Sequence, residues 1–469
     1  MQLNDVVLSY KEEMVSQLCK LISMPSLEAP PLPGQPFGRA MHDCLLYTLD
    51  LAKSLGFARM RDVDGYAGYI EMGQGEEEIG ILVHLDVVPP GDGWTLPPFE
   101  GTVQNGRVYG RGSQDNKGGV ISALYAMRAL LSEENTFHKR VRLILGCSEE
   151  TGMTCIDHYL EAEHMPDYGF SPDANYPLIN LEKGLLNVVG HCAAPVSAEG
   201  LRVVSMSAGQ RPNVIPGRAE AVFFAPDTDA LSKALSSAAL CDEDRARVHL
   251  SLDGHTATLI CDGIVGHAST PEKGRNAASL LMRVLSALPL ADAPRENAVK
   301  ALSRLICDES DGTSLGVACQ DELSGALTCN LGLLGADEAG VNFTLDFRYP
   351  LCTSQDAIMA QLASAFADSG FALKAEHGQA PHHVPEDSPL VQKLLRVYAE
   401  QTGQPSYCMA IGGGTYARKL PGRAVAFGME FPGTPATAHM ADEYIIIDEL
   451  VQNAQIIAHA IRALAIEPW

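Results

Sequence analysis

Near the start of the chain, apolar side chains recur at the spacing of an amphipathic helix. They are Val6, Val7, Tyr10, Met14, Leu18 and Leu21. This period predicts one helix over residues 5–21. Similar patterns predict helices over 39–54, before the capping residue Gly56, and over 119–131. Short β-rich runs at 68–72, 79–84 and 141–146 lie between them, and the last is apolar on both faces, as a strand covered by helices should be. The alternation predicts an α/β fold.

After Lys183 the pattern changes to alternating strands interleaved with helices. Strands are predicted over 186–189, 219–224 and 257–264, and helices over 228–237, 277–287 and 354–367. A hairpin over 327–334 and 341–348 has a six-residue loop. We interpret residues 184–380 as an inserted α+β domain. Helix 388–402, strand 424–427 and helix 447–464 then return to the first pattern, so the first domain is expected to comprise residues 1–183 and 381–469.

The amino-acid composition limits the classes of molecule that the protein is expected to bind. The 469 residues include 34 basic and 58 acidic side chains, and the net charge of −24 argues against nucleic acid or an anionic membrane as partner. The N-terminal segment lacks the apolar core of a signal peptide, and no stretch approaches about 18 uncharged apolar residues. The 12 cysteines are scattered without a C-x-x-C pair. A cytoplasmic protein without structural disulfides is therefore expected.

Five segments carry acidic or imidazole side chains in positions that suit a metal-dependent hydrolase. They are ILVHLDVVPP with His84 and Asp86, GRGSQDNKGG with Asp115, GCSEETG with Glu149 and Glu150, FSPDAN with Asp173, and ATAHMADE with His439. Carboxylate oxygens and imidazole nitrogens suit zinc, manganese or cobalt. A bridging carboxylate with ligands on either side holds two such ions roughly 3.5–4 Å apart. The five segments together predict a two-metal site.

Neighbouring residues in two of these segments suggest a division of roles. His84 ends a strand as a metal ligand, and Asp86 is expected to hold its other ring nitrogen. Glu149 and Glu150 are adjacent carboxylates that are costly to hold together without cations. One of them would bind metal while the other acts as general base on water.

Each segment taken alone also has a structural interpretation. His84 is then a hydrogen-bonded core residue, and Asp115 or Asn116 caps the following helix. The pair Glu149–Glu150 is then a solvated acidic helix start.

The five motifs in this order resemble the ArgE/DapE/PepV superfamily of two-metal peptidases and deacylases, peptidase family M20. The PepV-type dipeptidases are the most similar branch, on the further segments RPNVIP, VGHASTPEKGRNA, LDFRYP and GGGTYARKLP. The resemblance covers nearly the whole chain and implies a catalytic domain with a large inserted lid. It implies one metal on His84, Asp115 and Asp173, and another on Asp115, Glu150 and His439. It also implies Asp86 as the residue that orients His84, and Glu149 as the base.

One departure from the family pattern is visible. Asn116 stands where many relatives have a second aspartate, which removes a charge near the site but no ligand.

The resemblance also implies substrate-binding residues. His267 would polarise the scissile carbonyl, with Asn213 as a second donor to the oxyanion. Arg348 suits a substrate carboxylate because its planar fork binds one bidentately, although an end-of-strand surface charge is the alternative. Backbone N–H groups of the run that includes Gly413 and Thr415 are candidates for the same carboxylate. The run has only a partial nucleotide-loop pattern, and we reject that interpretation.

These inferences predict a cytoplasmic metallodipeptidase with two divalent ions, zinc as the expected metal and manganese or cobalt as alternatives. The expected partners are dipeptide or other small-molecule substrates, without nucleic acid or membrane, and a monomer is expected. An N-acyl amino-acid deacylase on the same site is the alternative enzyme. A metal-binding but inactive scaffold is the alternative of a different class, and the presence of Glu149 and His267 weighs against it.

Overall fold

The computed structural model of the protein describes residues 2–131, 136–196, 199–306 and 309–468. They form two compact units. The first unit contains residues 1–181, 382–409 and 414–469, and the second contains 182–381 and 410–413. The second unit is thus inserted into the first, and the short segment 410–413 groups with the second unit although it lies within the predicted range 381–469.

The first unit is built on a mixed sheet covered by helices. The main path of its nine-stranded sheet is Arg59–Val63, Ala67–Met72, Arg140–Gly146, Glu78–His84, Tyr168–Ser171, Ala424–Ala426, Leu178–Glu182 and His382–His383. Its α-helices are Leu3–Ser9, Lys11–Ile22, Arg39–Ser54, Lys117–Leu131, Thr154–Ala162, Pro389–Thr402 and Ile447–Ile461. Short ladders join Thr102–Gln104, Arg107–Tyr109 and Tyr444–Ile446, and also Ala174–Asn175 and Met429–Glu430. The α/β class predicted from the sequence is confirmed.

Three neighbouring strands at the centre of this sheet run parallel. Glu78–His84 lies between Arg140–Gly146 and Tyr168–Ser171 and pairs in parallel with both. Every residue of Glu78–His84 is buried, as expected for a strand with helices on both faces. The carboxyl ends of the three strands therefore lie at one edge of the sheet, where α/β proteins place their ligands.

The second unit has a different architecture. Its eight-stranded sheet is antiparallel, in the order Val248–Asp253, Thr256–Asp262, Arg218–Phe224, Arg202–Ala208, Thr328–Ala336, Val341–Tyr349, Gly184–Cys192 and Ala372–Gln379. Its α-helices are Thr228–Ser237, Asp242–Arg245, Ala277–Ser286, Pro294–Ile306 and Gln355–Ala365. Two-residue strands Val214–Ile215 and Gly266–His267 form a separate ladder, as do Gln320–Asp321 and Gly325–Ala326. Each unit has its own hydrophobic core.

The prediction of one helix over residues 5–21 is wrong, because the chain turns at Tyr10 (φ −91°, ψ 0°) between Leu3–Ser9 and Lys11–Ile22. The Tyr10 ring lies 5.8 Å from that of Tyr125, and the guanidinium of Arg128 lies 4.3 Å from its centroid. Both partners belong to helix Lys117–Leu131. Local spacing does not encode such a tertiary contact. Of the helices formed by the described residues, none combines the length and hydrophobicity needed to span a bilayer.

Candidate metal centre

The parallel strands of the first unit bring three of the five motifs to one edge of its sheet. His84 is the last residue of its strand, Glu149 and Glu150 follow Arg140–Gly146, and Asp173 follows Tyr168–Ser171. Asp115 lies just before helix Lys117–Leu131. His439 arrives late in the chain, on the loop before strand Tyr444–Ile446.

The side chain of Asp115 lies between two histidines. Its Oδ1 is 2.9 Å from His84 Nε2, and its Oδ2 is 3.0 Å from His439 Nε2. His84 Nε2 is also 3.5 Å from Asp173 Oδ2, and His439 Nε2 is 2.9 Å from Glu150 Oε1. Each oxygen of one carboxylate thus faces a different imidazole, and each imidazole faces a second carboxylate.

Ligand-type atoms in this cluster lie close enough to share a cation. Those of His84, Asp115 and Glu150 lie within 4.8 Å of one another, as do those of His84, Glu149 and Asp173. Glu149 therefore lies within ligating range of the same centre. Distances alone admit it either as a ligand or as a base.

The charges of the cluster strongly perturb its proton equilibria. Burial and the charge of Asp115 raise the pKa of Asp173 to about 7, and burial raises the pKa of Glu149 well above its ordinary value. Burial opposes the charged imidazole of His439, but hydrogen bonds with Asp115 and Glu150 raise its pKa to about 11. Burial tends to raise the pKa of Asp115, but the hydrogen bonds from His439 and His84 outweigh it and lower that pKa.

The donor set fits divalent metal ions. The imidazole of His84 lies within coordinating reach of carboxylates in two overlapping groups, and the His439 imidazole contacts Asp115 and Glu150. Imidazoles and carboxylates are ligands of the zinc, manganese and cobalt type. A bound cation would favour the neutral imidazoles and ionised carboxylates that ligation requires, in place of the protons that the cluster otherwise holds.

Asp86 contacts His84 through both its main chain and its side chain. The His84 Nδ1 lies 2.9 Å from the backbone carbonyl oxygen of Asp86 and 3.4 Å from its carboxylate Oδ1. The carboxylate also accepts hydrogen bonds from the backbone N–H groups of Glu149 (3.1 Å) and Glu150 (3.0 Å). Asp86 thus contacts the second ring nitrogen of His84 and also positions the two glutamates, a contact that the sequence did not predict.

The sequence analysis missed Glu443, a fully buried carboxylate beside the centre. It accepts hydrogen bonds from Arg111 Nη1 (2.6 Å) and from the backbone N–H groups of Gly112, Gln114 and Asp115 (2.8–3.1 Å). It therefore fixes the loop that carries Asp115. Glu443 lies four residues after His439, and its place within a recognised motif was the available signal.

Gln114 joins the Asp115 loop to the His439 loop. Its Oε1 accepts hydrogen bonds from the backbone N–H and from the hydroxyl of Thr437, both at 2.8 Å. Gln114 N donates to Glu443 at 2.8 Å. We call Arg111, Gln114 and Glu443 the positioning cluster.

Asn116, the departure from the family pattern, makes contacts that an aspartate cannot. Its Nδ2 donates to the carbonyl oxygen of Pro172 (2.7 Å) and to Asp173 Oδ1 (2.9 Å). A carboxylate has no donor for either acceptor unless it is protonated. The amide therefore orients Asp173.

The second unit brings several proposed substrate-binding residues together. Val214 pairs with His267 across the two-residue ladder, and Ala268 N donates to Asn213 O at 3.0 Å. The His267 Nδ1 lies 2.7 Å from Ser269 Oγ, which fixes the ring. Close packing places Gly412 against Ser269, since a Cβ added to Gly412 would lie 2.5 Å from that of Ser269.

Arg348 is buried rather than at the surface. Its guanidinium donates to both carboxylate oxygens of Asp346 (2.8 and 3.1 Å) and to Gly412 O (3.0 Å). Three of its five N–H groups are used in this way. The Thr415 hydroxyl, in the first unit, accepts from Ala417 N at 3.1 Å and caps the 3₁₀ helix Tyr416–Lys419. Gly413 lies in the preceding turn, in the second unit.

Comparisons with known proteins identify the family of this chain. The model of Peptidase family M20/M25/M40 matches residues 80–463. The Bacillus subtilis protein "Putative dipeptidase YtjP" is 37% identical over 466 residues, which cover 98% of each chain. The Beta-Ala-Xaa dipeptidase of Lactobacillus delbrueckii subsp. lactis is 35% identical over 92% of this chain and 90% of its own. The solved structure of the di-peptidase Dug1p from Saccharomyces cerevisiae has the same fold, with a TM-score of 0.59 and 13% identity over 98% of this chain and 97% of that chain. The chain therefore belongs to peptidase family M20/M25/M40, a family of metal-dependent hydrolases.

Proposed function

We propose that this peptidase is a metal-dependent dipeptidase that hydrolyses the amide bond of small peptides. The observation that carries the metal-dependent reaction is the division of the two Asp115 oxygens between His84 and His439. The relatives named as dipeptidases support the substrate class.

The proposed ligand sets follow the contacts of Asp115. One ion would be held by His84, Asp115 and Asp173, and the other by Asp115, Glu150 and His439. Zinc is proposed for both positions because it accepts this mixture of imidazole and carboxylate. When bound, the ions supply a Lewis acid that polarises the substrate carbonyl and lowers the pKa of water.

Glu149 is proposed as the general base. Its backbone N–H donates a hydrogen bond to the Asp86 carboxylate, which fixes its main chain. Burial raises the pKa of its carboxyl. A raised pKa suits a group that must accept a proton from the attacking water and then donate it to the leaving amine nitrogen. Glu150, its neighbour, contacts His439 and is proposed as a ligand instead.

Substrate-binding roles are proposed for Asn213, His267, Arg348, Gly413 and Thr415. The hydrogen bond to Ser269 supports His267 as a carbonyl-polarising donor because it fixes the ring. Asp346 supports Arg348 in the same way, since it orients the guanidinium while two N–H groups remain for a substrate carboxylate.

Hydrolysis of a panel of dipeptides by protein loaded with Zn²⁺, Mn²⁺ or Co²⁺ tests this function. We expect cleavage with at least one metal, and metal analysis that gives two ions per chain. Comparing each dipeptide with its N-acetylated form separates the dipeptidase from the alternative deacylase, which would prefer the acetylated form. No cleavage of any dipeptide by metal-loaded protein would refute the proposal.

A monomer and a cytoplasmic location complete the proposal. The 12 scattered cysteines suit a reducing compartment. Sedimentation equilibrium of the metal-loaded protein measures the oligomeric state, and a stable dimer would contradict the monomer.

A further inference from the structure

An additional carboxylate, Glu430, lies beside the metal centre of the first unit. Strand Met429–Glu430 pairs in parallel with Ala174–Asn175, the two residues that directly follow Asp173. The backbone N–H of Tyr176 donates to Glu430 O at 2.8 Å. Glu430 is therefore fixed by main-chain contacts to the segment that carries a proposed ligand.

The Glu430 side chain lies beside Asn175, two residues after Asp173. Asn175 Nδ2 donates to Glu430 Oε2 at 2.7 Å, so these two side chains share a face of the ladder. Because consecutive Cα atoms are about 3.8 Å apart, the Cα atoms of Asp173 and Asn175 lie within about 7.6 Å of each other. Glu430 therefore lies next to the segment that carries a proposed ligand. Burial and the negative charge of Asp115 raise the pKa of Glu430.

Glu430 has no evident role in the fold or in metal binding. Among the described residues, neither of the ligand groups within 4.8 Å includes it, and no Lys or Arg forms a salt bridge with it. An acidic group beside an already acidic cluster is unfavourable unless a cation meets it. Its hydrogen bond from a neutral amide orients the carboxylate without neutralising its charge.

We propose that Glu430 binds the free amino group of the substrate, an inference that rests on the dipeptidase function proposed above. In a dipeptide the ammonium nitrogen lies roughly 2.5 Å from the scissile carbonyl carbon, and about 3.8 Å in a β-amino acid. The amine must therefore lie at the rim of the centre that holds the carbonyl. A carboxylate there forms a charge-assisted hydrogen bond with it.

The test compares metal-loaded full-length protein with its Glu430→Gln variant. Glutamine keeps the size and the contact with Asn175 but removes the charge. We expect kcat/KM for free-amine dipeptides to fall roughly 10- to 100-fold, mainly through KM, as for the loss of a charged hydrogen bond. The rate on the N-acetylated dipeptides should change less than about threefold, and metal content should stay the same.

Glu449→Gln is the matched control. Glu449 is also a partly buried carboxylate of the first unit held by one neutral donor, Thr434 Oγ1 at 2.6 Å, and we expect its variant to retain wild-type kinetics. An unchanged ratio of free-amine to acetylated rates in Glu430→Gln would overturn the inference, and so would loss of metal. Failure of the dipeptidase function itself would appear separately, as wild-type protein that cleaves no dipeptide.

Discussion

The two histidines of the metal centre are held in opposite ways. His84 ends a buried central strand, and its side chain is 0% exposed. His439 lies on a loop, is 51% exposed, and has the left-handed φ of +64°, which is unfavourable for a non-glycine residue. The sheet core thus defines one half of the centre, whereas side-chain hydrogen bonds define the other.

This difference explains why the positioning cluster contacts the loop that carries His439. In the His84 half, strand pairing fixes the backbone of the histidine. The His439 half depends on Gln114, which holds Thr437 two residues before the histidine. Support of this type orients ligands without touching the metal.

The largest effect is expected for the residue that both halves share. Asp115→Ala should abolish binding of both ions and reduce turnover to background, because each Asp115 oxygen faces a different histidine. Metal analysis and dipeptide hydrolysis check this prediction. Retention of two ions per chain would show that Asp115 is not a bridge.

Glu149→Ala tests whether Glu149 is a base or a ligand. We expect turnover to fall by roughly two to four orders of magnitude, as for loss of a general base, while both ions remain bound. Substitution of the exposed Glu161 by alanine is the control. Loss of one ion in Glu149→Ala would make Glu149 a ligand, which its range to His84 and Asp173 also admits.

Substituting each histidine in turn measures how much its side chain contributes to the free energy of unfolding. In metal-free protein, His84→Ala should lower the free energy of unfolding by about 2–4 kcal/mol, since it leaves a cavity and unpaired buried acceptors. His439→Ala should lower it by less than His84→Ala does, because removing a half-exposed ring leaves no packed cavity, although the contacts with Asp115 and Glu150 are lost. Denaturant unfolding followed by circular dichroism measures both. Equal effects would remove the distinction between the two halves.

The smallest effect concerns the loop support. Gln114→Ala should weaken the ion on the His439 side roughly 10- to 100-fold and leave the ion on the His84 side unchanged. Calorimetric Zn²⁺ titration and the absorption spectrum of the Co²⁺ protein separate the two sites. Exposed Gln404→Ala serves as the control. Equal weakening of both ions would indicate a general structural role for Gln114.

Local patterns predicted much of the secondary structure. Helices 39–54 and 228–237 have the same bounds in the structure, because apolar period and end signals act within a few residues. The turn at Tyr10 and the role of the Asp86 carboxylate were not predictable in this way. Both depend on partners that are distant in sequence or on geometry that only the packed strands define.

By itself, the sequence determined the α/β class, the ligand-type residues and, through five ordered motifs, the family. These are properties of residue type and spacing. Only the tertiary structure showed that the two Asp115 oxygens face different histidines, that Glu443 and Gln114 hold their loops, and that Glu430 pairs with Asn175, two residues after Asp173. Hydrogen bonds span few ångströms but join residues hundreds of positions apart, so they exist only once the chain has folded.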